Sequence, residues 1–262
     1  MKKLEFILGG GLFLRSNCRE KAEGCLDIKA KNFSVSADAS CSACCTYPSL
    51  TIGWDTANFP RNKKFLVTNG DSCEILSWKI LFSEFQLTSS DNVVSRISDS
   101  VLLVRNADSS RQINDFGILS FDKFAFTQVG TFRQAGNFKR LQFTVGLSDF
   151  FNKTNAKRMG NVPTLASTSD LYVDATDGYA NQIVRLKRKI GTVTDTVNVV
   201  LKRPNSSFFV VDLQQNFKLK EGADGVIPLK INLMQLMNNL NIRNTDSLKA
   251  QWNRQFVGAL SL

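Results

Sequence analysis

The chain has 262 residues, 43% of them hydrophobic and 20 of them phenylalanine, enough to bury a sizeable core in one large β-domain or two smaller ones. Lysine and arginine exceed aspartate and glutamate by 33 to 23, a formal charge of +10, and there is no histidine. The absence of histidine excludes Ser-His-Asp and Cys-His hydrolases, imidazole metal sites and any imidazole pH switch.

At the N-terminus, Lys2 and Lys3 precede a mostly apolar run from Phe6 to Leu14. A basic end followed by a short apolar core is the order of a secretory signal peptide, predicted over residues 1–17, and the run is too short to span a bilayer. Cys18, placed directly after it, resembles the lipidated cysteine of a bacterial lipoprotein signal, with Glu5 and Arg15 as departures. That resemblance implies a lipid anchor on Cys18 at the outer membrane, with the membrane face left open. The other reading is a plain N-terminal segment with an ordinary cysteine.

The remaining cysteines are Cys25, Cys41, Cys44, Cys45 and Cys73. They are odd in number, so one thiol is free or pairs elsewhere. An exported compartment favours disulfides among them, and Cys25–Cys41 is expected as the local loop. The rival is a metal knuckle in which Cys41, Cys44 and Cys45 supply three thiolates and Cys25 or Cys73 the fourth. Gly24, Cys25, Asp27, Ala30, Asn32, Phe33, Ala37, Cys41, Tyr47 and Pro48 together resemble a short module at the start of exported Bacteroidetes proteins. It implies that residues 18–48 form a lipid-anchored, disulfide-stapled spacer. Related modules carry acidic residues read as calcium ligands. Here Asp27 and Asp38 remain, while Ala39-Ser40 stands where more acid is expected, and calcium needs six or more oxygens.

Residues 49–262 read as a β-domain. Leu50, Ile52 and Trp54 alternate with polar residues as a first strand, and a basic loop from Arg61 to Lys64 leads into Phe65 to Val67. Trp78, Ile80 and Phe82 alternate until the phase shifts to Phe85 and Leu87, which predicts a β-bulge or corner at Ser83-Glu84. A turn is expected at Ser89 to Asn92, with short strands at Val101–Leu103 and Phe124–Phe126. The central strand is Gly136 to Gly146, with Leu141, Phe143 and Val145 on one face, followed by an Asn-rich loop over 151–170. Further strands are expected at Ile183–Ile190, Val193–Leu201, Phe208–Leu213 and Val226–Leu233, with a loop over 214–225. Leu233, Leu236, Met237 and Leu240 have helical spacing, and Gln251 to Leu262 is expected to return as a last strand. The fold class is therefore all-β: an antiparallel β-sandwich with long loops and one short C-terminal helix. The densest basic run, Arg185 to Lys189, is read as a solvated strand face that protects a sheet edge, against the alternative of a nucleic-acid groove. Nucleic acid is not an expected partner.

The order of these features is similar to the MbnP-like family of exported, β-rich, copper-associated bacterial proteins. The likeness rests on Phe82-Ser83-Glu84-Phe85-Gln86-Leu87, on Gly136, Phe138, Leu141, Phe143, Val145, Gly146 and Asn152, on Gly178-Tyr179, on Ile227 to Leu233 and on Asn253 with Phe256. In that family copper binding is linked to histidine and a modified tryptophan. At Leu171 to Tyr179 this chain has lost the family's methionine and both tryptophans. Soft copper ligands would have to come from cysteines or from Met159, Met234 and Met237. Asp170, Asp174 and Asp177 cluster in the altered loop, as a solvated turn or a weak cation site.

No nucleotide loop, nucleophile elbow or zinc-protease motif is present, so no catalytic residues are expected. Two functions remain. One is a non-catalytic lipoprotein serving as accessory subunit of an outer-membrane assembly, with the 151–170 and 214–225 loops as surfaces. The other is a metal or small-ligand binding protein in which copper or calcium would be the cofactor.

Overall fold

The computed structural model describes residues 21–56, 63–106, 108–121, 126–202 and 209–262; Cys18 and the signal-like segment lie outside them. The N-terminal module is held by a pair of short parallel strands, β1 (Glu23–Gly24) and β2 (Ala39–Ser40). Its disulfide joins Cys25 to Cys45, not to Cys41. The reason is local hydrogen bonding. Asn32 donates from Nδ2 to the Cys44 carbonyl and accepts from the Thr46 amide, and the Lys31 amide donates to the Thr46 carbonyl. These bonds lay residues 44–46 beside the start of the module. Cys41, Cys44 and Cys73 are free thiols. The module is docked on the main domain: Lys31 pairs with Asp224, which also accepts from the Ser49 amide and hydroxyl, and Arg133 lies 3.6 Å over the Tyr47 ring.

The main domain follows as β3 (Ser49–Asp55), β4 (Phe65–Leu66), β5 (Ser72–Ser89), β6 (Val94–Arg96), β7 (Ser100–Val104), β8 (Ser109–Ile113), β9 (Gly117–Ser120), β10 (Thr127–Thr131) and β11 (Gly136–Val145). Then come α1 (Asp149–Asn152), β12 (Tyr172–Asp174), β13 (Gly178–Tyr179), β14 (Gln182–Ile190), β15 (Val193–Leu201), β16 (Phe209–Leu213), β17 (Phe217–Leu219), β18 (Gly225–Ile231), α2 (Leu233–Met237), α3 (Thr245–Gly258) and β19 (Leu260–Ser261). A four-stranded sheet ordered β10-β3-β18-β19 packs on a large sheet ordered β15-β14-β5-β11-β16. Most pairs are antiparallel; β3 and β18 run parallel. The expected sandwich is thus observed.

Its core is aromatic. Trp78 meets Trp54, Trp252 and Phe256 edge-on at centroid distances of 5.5, 5.1 and 5.5 Å. Three indole N–H groups are buried there; Gln182 Oε1 accepts from Trp78 (3.0 Å) and Trp252 (3.2 Å), and the Trp54 N–H has no partner among the described residues. A second buried cluster covers the other face of β5, around Leu81. It contains Val101 and Leu103 from β7, with Phe151, Met159, Val162, Leu165, Leu171 and Tyr179. The Asn-rich 151–170 segment is therefore a third layer over the large sheet. The 214–225 segment is likewise tied down, by β17 pairing with β11 and by Asp224 under the module.

Three expectations are corrected. Residues 251–262 are mostly helix, because Leu248, Trp252 and Phe256 recur every four residues and Asn244 caps α3 by accepting from the Ser247 amide. Only β19 remains of the expected strand, and the chain ends in two helices. β14 is an interior strand, flanked by β5 and β15, so its basic residues protect no edge. The strand expected at Phe124–Phe126 begins at Thr127; Phe124 lies outside the described residues and Phe126 is exposed.

Candidate ligand cleft at the β5 bulge

The phase shift at Ser83-Glu84 is a β-bulge. Ser83 pairs with Thr144 and Gln86 with Gln142, leaving Glu84 and Phe85 opposite a single residue of β11. The extra residue lets Phe82 and Phe85 both point into the core, where Phe143 contacts each ring. Glu84 takes φ 59° to make the bulge, a left-handed conformation that costs a non-glycine residue about 1 kcal/mol or more. Its side chain turns outward and accepts from the Thr144 hydroxyl at 2.7 Å.

Beside the bulge, β5 changes partner along one edge. β14 pairs with it over residues 72–80 and β11 over 82–89. At the junction the Leu81 amide donates to the Asn181 carbonyl, and the Leu81 carbonyl accepts from the Gly146 amide. The Ser83 hydroxyl donates to the Gly146 carbonyl at 2.7 Å. Gly146 has φ +90° and the Asn181 amide presses against it, so this position requires glycine.

The bulge, β6, the end of β8, the 114–116 turn and α1 enclose a cleft of about 340 Å³. Glu84, Gln86, Arg96 and Asp115 supply its charged and polar walls, and Phe150 and Phe151 its aromatic floor. Asp115 is only 3% exposed and accepts from the Phe85 amide at 2.8 Å. Burial pushes its carboxyl up to about 6; the amides of Glu84 and Phe85 oppose the shift and the charge of Glu84 adds to it. Arg105 lies 4.2 Å over the Phe150 ring and pairs with Asp108. A concave site with a few converging polar groups, a strained residue and a perturbed carboxylate is the expected form of a small-ligand site.

The aspartates singled out in the sequence are held apart. Asp170 pairs with Lys79 at 2.7 Å, and Asp177 pairs with Lys202. Asp174 accepts from the Asp177 and Thr176 amides, which hold its carboxyl below the usual range. Asn152 clamps this loop, accepting from the Tyr179 amide and donating to the Asp177 carbonyl. Among the described residues no three cysteine, aspartate or glutamate side chains form a metal-ligand group. Cys45 is taken by its disulfide, Cys44 donates to the Cys41 carbonyl, and burial pushes the Cys73 thiol up to about 12. Asp27 accepts from the Tyr47 hydroxyl and Asp38 from the Ala22 amide. Met159 and Met237 are buried in different clusters and Met234 is exposed. These residues do not fit a soft copper site at Leu171 to Tyr179.

Sequence reading found the bulge but missed Asp115. The residue stands alone before a short strand, and nothing in its neighbours announces that β9 will carry it to Phe85.

The family model for MbnP matches residues 49–252. The fold is also similar to the solved structure of MbnP from Methylosinus trichosporium, at 15% identity, covering 72% of this chain and 76% of that one, with a TM-score of 0.43. No curated relative matches the chain.

Proposed function

Because the chain belongs to the MbnP family, we propose that its β-sandwich is a non-catalytic binding domain and that the cleft over the β5 bulge takes a small cationic ligand. The observation that carries this is Asp115, a carboxylate buried in a cleft beside Glu84 in an otherwise basic protein. An ionised carboxylate in such a place lacks solvation, and a cation that enters supplies it. Near neutrality Asp115 is mostly ionised, and below about pH 6 it is mostly protonated. Cation binding should therefore weaken as pH falls through 6. Phe150 and Phe151 line the cleft beside these carboxylates and give an organic cation apolar surface to lie against. The test is calorimetric titration with ethylamine, putrescine, calcium and zinc at pH 5 and pH 7.5. Binding of at least one of these at pH 7.5, at least tenfold weaker at pH 5 and lost in Asp115→Asn, is expected. No binding by any of them overturns the reading.

A second proposal concerns place and partners. The basic end, apolar run and Cys18 favour a lipid anchor at the outer membrane, with the sandwich as accessory subunit of an assembly there. The mature protein is then expected to begin at a lipidated Cys18 and to co-purify in mild detergent with a stoichiometric partner. Met1 still attached with Cys18 unmodified would refute the anchor, and a lone monomer would refute the subunit role.

A further inference from the structure

The basic run in β14 loses its simplest explanation once the strand is seen to be interior. Arg185, Lys187 and Lys189 alternate onto one exposed face, each roughly 7 Å from the next along the strand. Like charges on one face repel, and neighbouring strands ordinarily answer them with carboxylates. Here the answer is mostly neutral. Opposite them on β15 stand Asn198, Thr196 and Thr194, and on β5 Ser77, Glu74 and Ser72, so Glu74 is the single carboxylate in these pairs. Among the described residues none of Lys64, Arg185, Lys187 or Lys189 forms an ion pair. Arg188 also borders the concavity lined by these lysines, but its guanidinium is committed to Asp195 and to the Ile242 carbonyl.

These cations do not simply radiate into solvent. Lys64, Lys187 and Lys189 line a concavity of about 270 Å³ together with Ser72, Thr194 and Glu74. Three lysines and two hydroxyl-bearing residues around such a hollow suit a tetrahedral oxyanion, which accepts several charge-assisted hydrogen bonds at once. We infer that this hollow on the outer face of β4, β5, β14 and β15 is a binding site for a phosphate-bearing anion. It is separate from the Asp115 cleft and opposite to it in charge. The same chemistry is offered by a free phosphate compound and by a phospholipid headgroup. Leu66, 80% exposed, pairs with Ser72 on the neighbouring strand.

The experiment uses the full chain and two probes. Inorganic pyrophosphate is titrated calorimetrically, and sedimentation is measured with phosphatidylcholine vesicles with and without 20 mol% phosphatidylglycerol. Binding to pyrophosphate supports a soluble source, and binding only to the anionic vesicles supports a headgroup. Lys187→Gln with Lys189→Gln should weaken the productive probe roughly twenty-five-fold, at about fivefold per lysine. Glu74→Gln should strengthen it several-fold, and Lys230→Gln, on the distant β18, should leave it unchanged. Circular dichroism of each variant confirms that it is folded. Failure to bind either probe overturns the inference. So does binding that the double variant retains in full, or that Lys230→Gln weakens as much as the double variant does.

Discussion

Replacing Gly146 by alanine should destabilise the sandwich by about 3 kcal/mol or more, the largest single-residue effect expected in this protein. Two penalties coincide. The backbone is at φ +90°, where an L side chain is strained, and an added Cβ would sit 1.9 Å from Asn181 Oδ1 and 2.4 Å from its Cγ. Asn181 cannot swing clear, because it is buried and its own backbone joins β5 and β15. Gly136 provides the comparison. It also has positive φ, +123°, but an added Cβ there meets nothing within 4 Å, so Gly136→Ala should cost only the backbone strain, about 1–2 kcal/mol. Urea denaturation of the two variants measures the difference. Equal losses would show that strain alone matters and that the junction at Leu81 is not tightly packed.

The second large effect is a gain. Asp115→Asn should raise stability at pH 8 by about 2 kcal/mol and flatten the stability profile between pH 4 and 6. The sign follows from the direction of the shift. The folded-state value of about 6 lies above the ordinary value of 3.8, so between these the native state binds the proton more tightly than the unfolded chain does. Stability in the parent protein therefore falls as pH rises from about 4 to about 6, and then stays lower. Asparagine keeps an oxygen to accept from the Phe85 amide and carries no charge to bury. The same substitution should abolish cation binding in the cleft, the usual exchange of stability for function at a built site. An unchanged or steeper pH profile in the variant would mean that Asp115 is not the group responsible.

Much of the frame was legible because period-two alternation directly records which residues face a core. Leu50, Ile52 and Trp54, then Trp78 to Phe82, then Leu141 to Val145, all lie where the alternation places them. The bulge was legible for the same reason, since a break in phase needs an extra residue. The C-terminal helix was misread because Leu248, Trp252 and Phe256 are separated by stretches too polar to suggest a buried face, and its cap, Asn244, is one asparagine among many. The disulfide partner was missed for a related reason. Cys41, Cys44 and Cys45 are neighbours in sequence, and only the Asn32 bonds to residues 44 and 46 choose among them. Of the candidate site, Glu84 was visible through the phase shift and Asp115 was not.

By itself, then, the sequence determined the strand-rich sandwich, the likeness to MbnP carried by Gly136 to Asn152, and the absence of imidazole chemistry. Those properties are local or compositional, and each segment carries its own record of them. Tertiary structure decided the rest: that β14 is interior, that the 151–170 segment is a packed layer, that Asp170, Asp174 and Asp177 are separately engaged, and that Asp115 meets the bulge. Each of these depends on which distant strands become neighbours. A side chain's burial, charge state and partners come from residues 30 to 104 positions away, and no local pattern encodes them.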